Sequence, residues 1–254
     1  MASRAPVFPA HHPGDRTFFL GFLVFAWIGV LLGFLPPLAG RLAGRADYIA
    51  PLILHIHAAS FVGWMGLLTA QILLIRTRRT PTHRRLGALG ALLIPIMVLS
   101  GFFAEGYSQR FYLTHPPDSQ AFFIIPIYYV IAFGLLATTA LAQRSDPPAH
   151  KRLIFLATSV IVGAAYTRVW GRALTELVGD GFWGLMVNTF TGTHLFLLAA
   201  LAYDWWSRKQ IHPVLLIAVP AILASELVVS WIYHAPGWLP VARAIASALP
   251  GPPI

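Results

Sequence analysis

The chain of 254 residues contains no cysteine and little charge, since only 11% of its residues are Asp, Glu, Lys or Arg. The absence of thiols excludes disulfides, thiolate metal sites, iron–sulfur clusters and covalently attached c-type haem. A soluble domain needs about twice this fraction of charged residues to cover its surface. Because 57% of the residues are hydrophobic, the composition indicates a protein embedded in lipid.

Long apolar runs recur along the chain, each close to the roughly 20 residues that a helix needs to cross a bilayer. They predict an all-α polytopic transmembrane bundle of about seven spans, because barrel strands would alternate instead of forming continuous runs. The predicted spans are 17–38, 49–75, 86–104, 121–142, 153–169, 182–206 and 214–234. A polar segment, 1–16, precedes this membrane domain of residues 17–238, and a tail, 239–254, follows it. The fifth span is short, which predicts a helix that is tilted, broken or mostly covered by protein.

Basic residues concentrate in the loops that join spans two to three, four to five and six to seven. The first of these loops contains Arg76, Arg78, Arg79, Arg84 and Arg85. The positive-inside rule places such loops in the cytoplasm, which predicts an N-terminus inside and a C-terminus outside. Arg41 and Arg45 lie on the other side and oppose this orientation, but they are outnumbered. The net charge of +9 is explained by anionic lipid headgroups, and no nucleic-acid partner is expected.

Four ionisable residues lie well away from the ends of predicted spans, namely His55, His57, His194 and Glu226. Such groups are costly at membrane depth and by default mark a functional site that faces protein or water. At 1.5 Å per residue, His57 and Glu226 lie about 12 Å from the outer boundary and His194 about 18 Å. We therefore expect His57, His194 and Glu226 to share a layer in the outer half of the bundle.

The second span has polar residues on one face, where His57, Trp64 and Gln71 recur every seven positions, and small residues on another. This pattern predicts a central helix that is covered by protein on both faces. His55 and His57 point in roughly opposite directions, so the sequence leaves open whether they serve one site or two.

The first functional hypothesis is a b-type haem that is held between His57 and His194 and transfers electrons. Axial imidazoles, small residues and an apolar shell are the ingredients of a haem site in a helix bundle. His55 is a further candidate ligand, and Arg168 or Arg172 could neutralise the haem propionates at the outer surface. A quinone or another membrane redox protein would then be the electron partner.

Two alternatives remain open. In the first, His57, His194 and Glu226 bind a divalent metal ion, although histidine boxes and the HExxH motif are absent. In the second, the chain is a non-enzymatic transporter or an accessory subunit of a larger membrane complex. Four prolines interrupt spans, as they often do in transporters: Pro51, Pro95, Pro126 and Pro220. The residues leave it undecided whether the protein is an enzyme.

Several short motifs together resemble a pattern in bacterial multi-pass membrane proteins for which no activity is established. The resemblance covers about two-thirds of the chain. It implies a helical bundle in the bacterial inner membrane, and no particular chemistry. The motifs are His55 to Trp64, Gln71, Ile75-Arg76, His83-Arg84-Arg85-Leu86-Gly87, His150-Lys151-Arg152-Leu153, and Tyr203-Asp204 to His212-Pro213.

Overall fold

The computed structural model describes residues 8–115 and 119–251, which form helices and contain no strand. The helices are α1 (Asp15–Leu42), α2 (Leu52–Arg76), α3 (Thr80–Phe111), α4 (Ile124–Ala142), α5 (Pro147–Val178), α6 (Phe182–Arg208), α7 (Pro213–His234) and α8 (Trp238–Ala248). A short 3-10 helix, Gln120–Phe123, leads into α4. The first seven helices are each long and apolar enough to cross a membrane. The predicted seven-span helical bundle is therefore confirmed.

The chain is an integral membrane protein whose outward faces contact lipid. Large apolar side chains on these faces are exposed, among them Phe25 at 60%, Ile217 at 72% and Trp231 at 65%. We call the side on which α1 begins the basic side, because the arginine-rich α2–α3 loop also lies there. The other end of the bundle is the opposite side. Which of the two faces the cytoplasm stays a prediction.

Two helices are much longer than their predicted spans. Helices α3 and α5 have 32 residues each, or about 48 Å, against a hydrocarbon core of about 30 Å. The predicted spans 86–104 and 153–169 contain only the apolar middle of each helix, because the polar turns beyond it lack a hydropathy signal. Helix α5 is continuous, so the prediction of a broken span was wrong. Its predicted cover by protein is confirmed, with 61% of its most apolar stretch buried.

Helix α5 occupies the centre of the bundle, where it packs against α1, α4 and α6. Small residues permit this close approach. A methyl group on Gly163 of α5 would collide with the side chain of Thr193 of α6. A methyl group on Gly33 of α1 would likewise meet the backbone carbonyl of Ala165. The glycines therefore bring α1 and α6 close to α5.

Helix α2 lies at the periphery, and the prediction that it is central was wrong. Only 22% of its most apolar stretch is buried, the smallest share among the seven spans. A methyl group on Gly66 would meet no neighbouring atom within 4 Å, so the small-residue face of α2 is open. Small residues permit close helix packing, but they do not require it.

Helix α8 lies on the opposite side, in the part of the sequence predicted to be a tail. It buries Ala242 and Ala246 against the bundle. The indole nitrogen of Trp238 donates a 2.8 Å hydrogen bond to the carbonyl of Ala121. Apolar residues at helical spacing were the available signal, but the helix is too short to register as a span.

Candidate functional site

The structure brings together two of the ionisable residues predicted to form the site. Glu226 of α7 has no exposed surface, and its Oε2 lies 2.7 Å from Nε2 of His194 of α6. At this distance the two groups share one proton, whichever of them carries it. His194 follows the start of α6 by 12 positions, or about 18 Å along the helix axis, and the pair therefore lies well inside the membrane.

Aromatic residues of α4 and α6 enclose the carboxylate. The hydroxyl of Tyr128 points at Glu226 Oε1 from 3.5 Å, the outer limit of a hydrogen bond. The neighbouring Tyr129 donates instead to the carbonyl of Thr189 at 3.2 Å. The ring of Phe190 packs edge-on against both tyrosines. Glu226 is thus closed off, and His194 offers the open side of the pair, because 29% of its side chain is exposed.

The other polar side chains of α6 and α7 do not converge on this pair. Asn188 donates a 2.8 Å hydrogen bond to Thr175 of α5, and Thr191 donates to the backbone of its own helix. On α7, Ser230 donates to the sulfur of Met186 at 3.0 Å. Asn188 and Ser230 therefore connect neighbouring helices, and neither side chain belongs to the His194–Glu226 pair.

His57 of α2 lies against α3. Its ring packs against Gly101 of α3, and its buried Nδ1 has no hydrogen-bond partner among the described residues. Among the described residues, no group of three His, Asp or Glu side chains is placed so that it could hold a metal ion. His55 is exposed at the start of α2, where its ring nitrogen lies 3.0 Å from the Pro51 carbonyl. The metal site of His57, His194 and Glu226 stays a prediction.

The two arginines predicted to bind an anionic group do not converge on one point. The guanidinium of Arg168 lies 4.6 Å above the ring of Phe34 and donates to the Ala164 carbonyl at 2.7 Å. Arg172 forms a 3.0 Å ion pair with Glu176, and 94% of its side chain is exposed. A role of Arg168 and Arg172 in cofactor binding stays a prediction.

A second group of buried charges lies on the basic side and was missed by sequence reasoning. Asp204 of α6 accepts hydrogen bonds from two guanidinium nitrogens of Arg152 of α5, one of them at 2.8 Å. It also accepts one from the backbone of His212 at 3.1 Å. Arg152 and Asp204 lie near the ends of spans, where charged residues are usually solvated, so the sequence provided no sign of their burial.

The same group extends to the start of α1 through Asp15. The carboxylate of Asp15 forms ion pairs with Lys151 of α5 at 2.7 Å and with Arg208 of α6 at 2.8 Å. The hydroxyl of Tyr203 also donates to Asp15, at 2.7 Å. We call Asp15, Lys151, Arg152, Asp204 and Arg208 the basic-side cluster. The available signal was an acidic residue, Asp15, at the start of the first span on a side rich in cations.

Neither the protein-family models, nor the curated proteins, nor the solved structures with which the chain was compared contain a match. The site is therefore interpreted from its own residues. Those residues are a buried carboxylate, a partly exposed imidazole and two tyrosines inside a helical membrane bundle. Groups of this kind bind and release protons.

Proposed function

We propose that the protein is a non-enzymatic membrane carrier whose transport is coupled to proton binding at His194 and Glu226. The observation that supports this function is the 2.7 Å contact between a fully buried carboxylate and an imidazole inside the membrane. Loss of the shared proton leaves a net negative charge in a low-dielectric interior. A conformation that hydrates the pair is then favoured over one that encloses it. Proton binding can thus bias the bundle between two conformations.

The partial exposure of His194 supports this function further. A proton that reaches Glu226 must pass through a group that contacts the surroundings, and His194 is the one with 29% of its side chain exposed. The imidazole has two nitrogens, and Nε2 is the one that faces Glu226. The pair therefore combines an enclosed proton-binding group with a route of exchange.

A haem between His57 and His194 fits the geometry less well. The Nε2 atom of His194 is engaged by Glu226 at 2.7 Å, whereas axial ligation needs a free imidazole nitrogen directed at the iron. The ring of His57 packs against Gly101. A reduced-minus-oxidised absorption spectrum of the detergent-purified protein separates the two functions. We expect no haem bands. Haem bands at a near-stoichiometric amount would show that the protein is a cytochrome and would contradict the carrier proposal.

The carrier function is tested by proton flux into liposomes that contain the purified protein and an internal pH-sensitive dye. We expect an imposed pH gradient to drive flux in the unaltered protein. Glu226→Gln should reduce this flux to the level of protein-free liposomes, because an amide has the size of the carboxylate and cannot take up the proton. Unchanged flux in Glu226→Gln, or no flux in the unaltered protein, would contradict the proposal.

The matched control is Glu176→Gln, the same change at an exposed ion pair on α5. We expect it to leave flux unchanged, because Glu176 is solvated and lies outside the site. Elution of Glu226→Gln as a single detergent-solubilised species shows that lost flux is not lost folding. An equal loss of proton flux in both variants would mean that the loss in Glu226→Gln is not specific to Glu226.

We further propose a location in the bacterial inner membrane, with the basic side in the cytoplasm. The support is the concentration of arginines in the α2–α3 loop on that side. A tag at the C-terminus should then be cut by protease added outside intact spheroplasts. Cleavage of the tag only after lysis would show that the C-terminus lies in the cytoplasm, which is the opposite orientation.

A further inference from the structure

Helix α2 carries a polar stripe that the proposed function does not use. His57, Ser60, Trp64 and Gln71 follow one another at steps of three, four and seven residues and so lie on one face. Gln71 follows His57 by 14 positions, or about 21 Å along the axis. The stripe therefore runs through most of the thickness of the membrane.

The stripe faces α3 and α5. The hydroxyl of Ser60 lies 3.4 Å from that of Ser100 of α3, and the indole of Trp64 donates to Thr158 of α5 at 3.2 Å. Further along the stripe, a methyl group on Gly87 of α3 would lie 3.3 Å from Nε2 of Gln71. Polar side chains thus line the interface between α2 and its neighbours, away from α6 and α7.

Buried polar atoms without a partner occur at both ends of this stripe. Nδ1 of His57 lies at one end, and Nε2 and Oε1 of Gln71 lie at the other. None of these atoms has a hydrogen-bond partner among the described residues. His83, next to the backbone of Gln71, has a buried Nδ1 in the same condition. An unpaired polar group inside a bilayer is strongly unfavourable, so these atoms require a ligand.

Water has the hydrogen-bonding capacity that suits these atoms best. The amide of Gln71 presents a donor and an acceptor side by side, and the imidazoles of His57 and His83 can donate or accept. A metal cation would be repelled by the donor of Gln71, and an anion by its acceptor. Water donates and accepts at once, and buried water of this kind usually makes about three hydrogen bonds.

An apolar block separates the two ends. Trp64, Met65 and Leu68 are buried at 3%, 0% and 6% exposure. The indole of Trp64 packs edge-on against Phe133 of α4 with ring centres 4.9 Å apart. The distance from Trp64 to Gln71 is about 10 Å along the helix axis. No polar side chain of the stripe lies between these two residues.

We propose that water enters the α2–α3 interface from both sides of the membrane and that Trp64 separates the two hydrated regions. One region contains His57, Ser60 and Ser100 and opens to the opposite side. The other contains Gln71 and His83 and opens to the basic side. The two hydrated regions contain no residue of α6 or α7, and this proposal does not depend on the proposed function.

The absence of native cysteine permits a direct test by single-cysteine labelling. A charged, membrane-impermeant methanethiosulfonate reagent is added to one side of sealed vesicles that contain Ser100→Cys or Gln71→Cys. Only the thiolate reacts, and a thiol ionises in water but hardly in lipid. We expect Ser100→Cys to react from the opposite side and Gln71→Cys from the basic side.

The matched controls are Leu99→Cys on α3 and Leu73→Cys on α2, whose native side chains are 59% and 46% exposed on the outward faces. Each test position should react about tenfold faster than its control or more, because the control thiol stays protonated in lipid. Equal labelling rates at a test position and at its control would contradict the proposal of a hydrated region at that position. The labelling needs no transport, so its outcome is independent of that of the flux assay.

The separating role of Trp64 is tested in the background of Ser100→Cys. Trp64→Ala should make this position reactive from both sides, whereas Trp64→Phe retains a large ring and should keep it reactive from one. Reaction from both sides with Trp64 intact would overturn the separation, as would reaction from one side only in Trp64→Ala. Elution of both variants as single species excludes misfolding as the cause.

Discussion

Two buried carboxylates of this protein differ in their partners more than in their burial. Asp204 of the basic-side cluster is 1% exposed and Glu226 is 0% exposed. Asp204 is paired with the guanidinium of Arg152, which retains its proton at any physiological pH. Glu226 is paired with the imidazole of His194, which carries a charge only when it is protonated. A buried charge with a permanent counter-ion supports structure, whereas one with a titratable partner can take part in chemistry.

The basic-side cluster also differs from the pair in the number of helices that it joins. Asp15 belongs to α1, Lys151 and Arg152 to α5, and Asp204 and Arg208 to α6. Because each ion pair connects two helices at one level, the cluster fixes their axial positions relative to α5. The His194–Glu226 pair connects only α6 and α7.

The largest expected effect is that of removing the carboxylate from the basic-side cluster. Asp204→Ala leaves Arg152, which is 4% exposed, without its counter-ion. We expect the free energy of unfolding to fall by about 3–5 kcal/mol, as for other broken buried ion pairs. Denaturant unfolding in detergent measures this change, and Asp47→Ala, at an exposed carboxylate, is the control. A loss as small as that of the control would contradict the structural role of the cluster.

A smaller effect is expected from the pH dependence of His212, in the α6–α7 loop. Burial lowers the pKa of His212, with a further contribution from the charge of Arg152. The unfolded chain therefore binds a proton at this residue more readily than the folded one. Stability should fall as the pH decreases below about 6.5. Protonation at Nδ1 would also remove the 3.1 Å hydrogen bond that this atom accepts from the backbone of Val214.

The measurement is the thermal unfolding midpoint at pH values on both sides of about 6.5, the ordinary pKa of histidine. We expect His212→Gln to weaken the dependence of the midpoint on pH, since the glutamine does not titrate. His11→Gln, at an exposed histidine, should leave that dependence unchanged. An identical dependence in the unaltered protein and in His212→Gln would exclude His212 as its source.

The smallest effect is expected at the exposed ion pair of α5. Arg172→Gln should change the free energy of unfolding by at most about 0.5 kcal/mol, because an exposed pair gains little in water. The same unfolding assay measures it beside Asp204→Ala. A clearly larger loss would mean that Arg172 has a role beyond its contact with Glu176, such as the predicted binding of an anionic group.

The membrane spans could be predicted from the sequence because hydropathy reports directly on contact with lipid. The burial of the helices was predictable only as one of several alternatives for α5, because lipid and protein interior are similarly apolar. For this reason α2 was predicted to be central, while α5, with fewer apolar residues at its ends, occupies that place. The extension of α5 to Val178 was also missed, since polar helical turns and loops look alike in hydropathy.

The candidate site was predictable in part for a similar reason. The cost of an ionisable group in lipid identified His194 and Glu226, which the structure brings together. The same argument identified His57, which packs against α3 instead, because membrane depth says nothing about which helices are neighbours. The Arg152–Asp204 pair escaped notice, since a charge near the end of a span is as compatible with water as with a partner.

The contact between Gly163 and Thr193 bears on how substitutions in this protein are to be interpreted. Any side chain at position 163 meets Thr193 of α6, so a replacement there forces Thr193 or the two helices to shift. A survey of tolerated amino acids would rank Gly163 beside Glu226. Intolerance to replacement is therefore not a sign of chemistry in this bundle, and a variant informs about the mechanism only when its helices still assemble.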